Sequence, residues 1–284
     1  MRYGGAATAD AEGGVWRRRV GALRRDPIDL GRAALRLGLV EDAELDLAVW
    51  EAQLDALGAA AAERIPSEAD LPDQLRALTG YLFAELGLLG NEQDYYDPRN
   101  SYIHKVLERG LGIPISLSVV TIEIGRRAGL RLHGIGFPAH FLVGAGRIGG
   151  EELEVFVDPF HQGRLLDREG CEELLRRFTG GSIPFRPELL APISAPAILT
   201  RMLRNLKGTH LRRGELDLAL LDVDRLILLD AGLGERRDRG LIQLARRIYP
   251  DAVADLEAYL ASDPSDASLI EGRLEEARRG LERM

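Results

Sequence analysis

Between Gly134 and Phe160 the chain reads GIGFPAHFLVGAGRIGGEELEVFVDPF. Phe141, Val143 and Ala145 alternate with His140, Leu142 and Gly144, and Leu153, Val155 and Val157 alternate with Glu152, Glu154, Phe156 and Asp158. A period of two on either side of a glycine-rich break predicts a β-hairpin with its turn inside Arg147–Glu151. Gly149 and Gly150 supply permissive backbone there. The first 90 or so residues and the last 90 read as mainly helical, so a small antiparallel sheet is expected within an otherwise helical protein. The predicted fold class is α+β.

Residues 1–14 are small and polar and are expected to form a disordered tail. Residues 15–92 are expected to be a helical region. Its Ala/Leu-rich part breaks at Ile65-Pro66-Ser67, and Leu71, Leu75, Leu78, Leu82 and Leu86 then recur at helical steps. Residues 93–195 hold the hairpin and form the expected core. Residues 196–284 are helical again and carry a weak internal repeat. Leu206, Gly214 and Ala219 fit a tetratricopeptide-like unit starting at Thr200. Gly240, Ala252, Leu256, Tyr259 and Pro264 fit a second one starting at Leu233, 33 residues on. Such a tail is a candidate surface for a protein partner.

A net charge of −8 in 284 residues argues against a broad nucleic-acid surface. Neither a secretory signal nor a run of 18 apolar residues occurs, so no membrane association is expected. The single cysteine, Cys171, fits a reducing compartment, and the expected location is cytoplasmic. No phosphate-binding loop or dinucleotide motif is present, and the histidines lack ligand spacing. Neither a cofactor nor a metal is expected.

His140 and Asp158 are 18 residues apart. A hairpin centred on Gly149 would set them directly opposite, with Cβ atoms about 4.5–5.5 Å apart. The carboxylate could then orient the imidazole, as in a nucleophile–base–orienter array. A nucleophile would have to come from another element. The segment after Gly112 carries two signals: Ile115, Leu117 and Val119 alternate with Ser116 and Ser118 as in a strand, whereas the apolar run on to Gly129 reads as a buried helix with Pro114 in its first turn.

The stretches DYYDPRNSYIHKVLERGLGIPISLSVV, GFPAHFLV, VFVDPFHQGRLLDREGCEELL and RMLRNLKGTHLRRGELDLAL together resemble bacterial transglutaminase-like proteins with a tetratricopeptide-type tail. These are often labelled invasion-gene regulator homologues of the Sir-B type. The resemblance implies a papain-type core in which a Gly-x-Cys motif opens the buried helix and a His and an Asp follow on successive strands. His140 and Asp158 match the base and its orienter. Pro114 stands where the enzymes have their cysteine. The expected protein is therefore degenerate at the nucleophile and acts by binding: a peptide or small acyl-bearing ligand in the cleft, and a protein partner on residues 196–284. The alternative is an acyl-transfer hydrolase in which Ser118 or Ser116 attacks, His140 is the base and Asp158 holds its tautomer. Cys171 lies after the Asp in chain order, within a helix that Asp167 could cap, and is expected to be a buried thiol.

Overall fold

The computed structural model describes residues 28–146 and 152–284. The expected tail 1–14 and the turn within Arg147–Glu151 lie outside the described residues. Residues 29–202 form one compact unit and residues 203–284 belong to a second. The expected boundary at 92/93 falls inside the first of these.

In the first unit, short polar side chains start the helices. Asp29 caps α1 (Leu30–Leu37), Asp46 caps α2 (Leu47–Arg64) and Asp70 caps α3 (Leu71–Thr79), each accepting from a backbone N–H of the first turn. The leucine series that predicts one long helix from Leu71 does not stay α-helical. After Thr79 the backbone widens into a π-turn over Gly80–Glu85, and buried Tyr81, Leu82 and Phe83 lie there. Two-residue strands β1 (Leu89–Gly90) and β2 (Leu111–Gly112) pair in parallel around α4 (Ile103–Arg109).

Helix α5 (Pro114–Arg127) is the centre of this unit. Every residue from Pro114 to Gly125 is buried, because α1, α2, α4 and the sheet surround it. A helix covered on all sides has no polar face, which is why its sequence carries mixed helical and strand signals. Pro114 occupies the first turn, where its missing N–H costs nothing.

The sheet is a four-stranded antiparallel meander of β3 (Leu132–Ile135), β4 (Leu142–Ala145), β5 (Val155–Asp158) and β6 (Arg164–Leu166), in chain order. The hairpin β4–β5 is present, but its register differs from the expected one. Val143 pairs with Val157 and Ala145 with Val155, two residues along the partner strand from a hairpin centred on Gly149. A two-residue shift keeps every side chain on its face, whereas a one-residue slip would invert them. Leu132 packs on Gly125 of α5, and a methyl on that glycine would lie 2.3 Å from Leu132 Cδ1. On the other face Leu142, Phe156 and Leu166 join Cys171, Leu174 and Leu175 of α6 (Arg168–Thr179) in one buried cluster. The sheet is thus enclosed between α5 and α6.

Helix α7 (Ala195–Arg213) leaves the first unit and continues into the second. There it is followed by α8 (Leu216–Leu228), α9 (Gly234–Ala245), α10 (Tyr249–Leu260) and α11 (Ala267–Leu281). Helices α8 and α10 begin 33 residues apart, the period read from the sequence. Gly240 lets α9 and α10 approach closely, since a methyl there would lie 2.8 Å from Leu256. The tetratricopeptide-like spacing therefore corresponds to real helical pairs. Within this unit α7 and α8 share a buried bond between His210 Nδ1 and Asp222 Oδ2 of 2.8 Å. Among the described residues no helix is long and apolar enough to cross a membrane.

Candidate functional site

His140 sits in the turn that precedes β4, rather than on the strand itself. Its neighbour Ala139 has a φ of 56°, a left-handed conformation that a non-glycine residue adopts only when its surroundings hold it. The holding group is Arg201 of α7, whose Nη2 donates to the carbonyls of Phe137 (2.9 Å) and His140 (2.5 Å). The same guanidinium lies 5.4 Å from the centre of the Phe141 ring.

Asp158 is the last residue of β5 and caps the 3₁₀ turn Pro159–His161. Because of the shifted register, His140 and Asp158 do not face each other directly. They meet diagonally: His140 Nε2 lies 2.8 Å from Asp158 Oδ1, with both side chains almost fully buried. The second carboxylate oxygen takes another partner, His161, which is absent from the site expected from sequence. His161 Nδ1 lies 2.7 Å from Asp158 Oδ2, and the His161 backbone N–H donates to Oδ1 at 3.3 Å. One carboxylate thus bridges two imidazoles. A usable signal was present in the sequence, since a 3₁₀ turn places residues i and i+3 in line and Asp158 and His161 are three apart. Burial alone would raise the Asp158 carboxyl, but the bonds from His140 and His161 and their charges outweigh it and hold it below the usual carboxylate range.

Aromatic rings surround this group. The Phe178 ring of α6 lies 4.9 Å from His140, and the Phe160 ring 6.2 Å from it. Tyr95 packs edge-on to both Phe160 and Tyr96. Phe178, Tyr95 and Tyr96 are substantially exposed. Burial raises the Tyr95 phenol, with Tyr96 adding to the effect and Arg201 opposing it. Gly90 makes room for Phe160: a methyl there would lie 2.6 Å from the Phe160 carbonyl oxygen and ring. The loop carrying the tyrosines is pinned by buried Asn100, whose Nδ2 donates to the carbonyls of Asp94 and Tyr95.

The expected nucleophile candidates stand elsewhere in the hydrogen-bond network. Ser116 Oγ accepts from the Ile113 N–H at 3.0 Å and donates to the Asn100 carbonyl at 2.5 Å. Its hydroxyl ties the start of α5 to the Asn100 loop, as a helix-start cap does. Ser118 is fully buried, and its hydroxyl contacts the Phe141 carbonyl at 3.5 Å. Among the described residues neither hydroxyl is hydrogen-bonded to His140. Cys171 is buried in the cluster between α6 and the sheet. Burial, with the charges of Asp167 and Asp158, pushes its thiol up to about 12, so a nucleophilic thiolate is not populated near neutrality. Asp167 caps α6 through the Gly170 N–H at 2.8 Å. His104 and His133 lie outside the cluster, and burial, their main influence, lowers both.

Residues 48–204 match the model of the transglutaminase-like superfamily, more than half of the chain. The chain belongs to the transglutaminase-like superfamily. Residues 206–283 match a tetratricopeptide repeat model, in accord with the helical pairs of the second unit. A UPF0162 protein of Xylella fastidiosa is 40% identical over 209 residues, covering 72% of this chain and 73% of that one. A UPF0162 protein of Vibrio cholerae is 29% identical over 242 residues, covering 85% and 88%. Human F-box only protein 21 is 34% identical over 195 residues, 66% of this chain but 27% of the human one. No solved structure matches. For this transglutaminase-like chain the residue opening the buried helix is Pro114, and the dyad is a triad of another kind: His140, Asp158 and His161.

Proposed function

We propose that this transglutaminase-like protein has no nucleophile and works by binding. The observation that carries the reading is the start of α5. Pro114 offers no reactive atom there, and the nearby Ser116 hydroxyl is committed to the Ile113 N–H and the Asn100 carbonyl. A peptide or a small acyl-bearing group is the ligand that fits the surface of Tyr95, Tyr96, Phe178 and His161, where exposed rings adjoin imidazole donors. The tetratricopeptide-type tail supports a protein partner on the second unit. The likeness to Sir-B-type regulator homologues and a cytoplasmic location accord with such a role, the latter with the free thiol of Cys171.

A second reading keeps acyl transfer, because the His140–Asp158 bond of 2.8 Å is the base–orienter half of that machinery. It requires the Ser118 hydroxyl to leave the Phe141 carbonyl and turn to His140. The two readings separate by turnover. Purified protein given glutamine-bearing peptides, ester substrates and an amine acceptor is expected to react no faster than its His140→Ala variant. A rate that His140→Ala abolishes contradicts the binding reading.

A further inference from the structure

The arrangement around Asp158 is richer than an oriented imidazole needs. One carboxylate holds two histidines, through His140 Nε2 and His161 Nδ1, and one ligand atom from each of His140, Asp158 and His161 lies within 4.8 Å of the other two. We propose that His140, Asp158 and His161 form a binding site for a divalent first-row transition ion, with zinc as its representative.

The donor set is two imidazole nitrogens and one carboxylate oxygen, which suits zinc or ferrous iron and not the all-oxygen preference of magnesium or calcium. Tetrahedral zinc with bonds of about 2.0–2.2 Å needs ligand atoms roughly 3.4 Å apart. That value lies between the 2.7–2.8 Å that separates each imidazole nitrogen from its own Asp158 oxygen and the 4.8 Å within which all three ligand atoms lie. The ligands are held before an ion arrives: Arg201 fixes the His140 turn, and the 3₁₀ turn capped by Asp158 fixes His161. Access is one-sided, since the side chains of His140 and Asp158 are 3% and 2% exposed while that of His161 is 40% exposed. Phe160 and Phe178 supply an apolar wall. Three protein ligands leave a fourth position for a donor from outside, a water or a ligand carboxylate. The three ligands come from a turn, a strand end and a 3₁₀ turn instead of one helix, so no His-x-x-x-His spacing marks them. This inference does not depend on whether the protein is catalytic.

The test is calorimetric titration of the full chain, stripped with a chelator, with zinc chloride near neutral pH. One ion per chain is expected, with a dissociation constant in the micromolar range or below. His161→Ala, at the exposed ligand, should weaken binding by about tenfold or more, since loss of even an outer partner costs 10–100-fold. His133→Ala should leave it unchanged. X-ray absorption on the zinc-loaded wild type should show two imidazoles in the first shell, a readout that needs no variant to fold. Absence of binding, an affinity unaltered by His161→Ala, or a first shell without imidazole overturns the proposal.

Discussion

Asp158→Ala is expected to destabilise the unit of residues 29–202 by about 3 kcal/mol. The carboxylate is 1% exposed and bonds to His140 Nε2, His161 Nδ1 and the His161 N–H. Each bond to a charged group contributes about 1.5–3 kcal/mol, and a buried partner left unpaired costs a further 1–3. The exposed His161 can turn to water and recover most of its share. His140, 4% exposed, cannot. Asp158→Asn retains one carbonyl oxygen and one polar contact and should lose only about 1 kcal/mol. Urea unfolding followed by circular dichroism checks both. An Asp158→Ala midpoint equal to that of the wild type would mean the bridge is not formed in solution.

Phe141→Ala is expected to cost about 4 kcal/mol, within the usual 3–5 for a buried phenylalanine. Its ring is 1% exposed. Gly134 packs against it so closely that a methyl there would lie 3.0 Å from Phe141 Cζ, and Arg201 covers it from above. Truncation leaves a cavity and removes the ring against which Arg201 rests while it holds the His140 carbonyl. Loss of packing and loosening of the His140 turn should therefore appear together. Phe178→Ala serves as the contrast, because Phe178 is 41% exposed and its removal should cost under about 1 kcal/mol. A Phe141→Ala loss as small as that of Phe178→Ala would contradict the packing described for this turn.

The parts of the fold that sequence reveals are those marked by local punctuation. Alternation in FLVGA and LEVFV marks the hairpin, Pro114 and Gly129 bracket the buried helix, and Asp167 marks the start of α6. The hairpin register was less legible. Its alternation is short and its connection glycine-rich, which specifies pairing only to within a two-residue step. Strands β3 and β6 have four and three residues, too short for a period to show. At the site, spacing brought His140 and Asp158 together on one face, because they lie on neighbouring segments of a hairpin. The role of Ser116 was hidden, since its acceptor is the carbonyl of Asn100, sixteen residues away in the chain. His161 was hidden for a different reason. It belongs to the cluster only through the turn after β5, and residues 159–161 carry no periodic pattern.

Whether a nucleophile faces His140 is decided by labelling the native protein with a fluorophosphonate serine probe and reading intact mass. No adduct is expected, with wild type, Ser118→Ala and His140→Ala indistinguishable, because Ser116 is bound to backbone and Ser118 lies buried against the Phe141 carbonyl. An adduct that maps to Ser118 and disappears in His140→Ala would contradict the binding reading and establish a working serine–histidine–aspartate site.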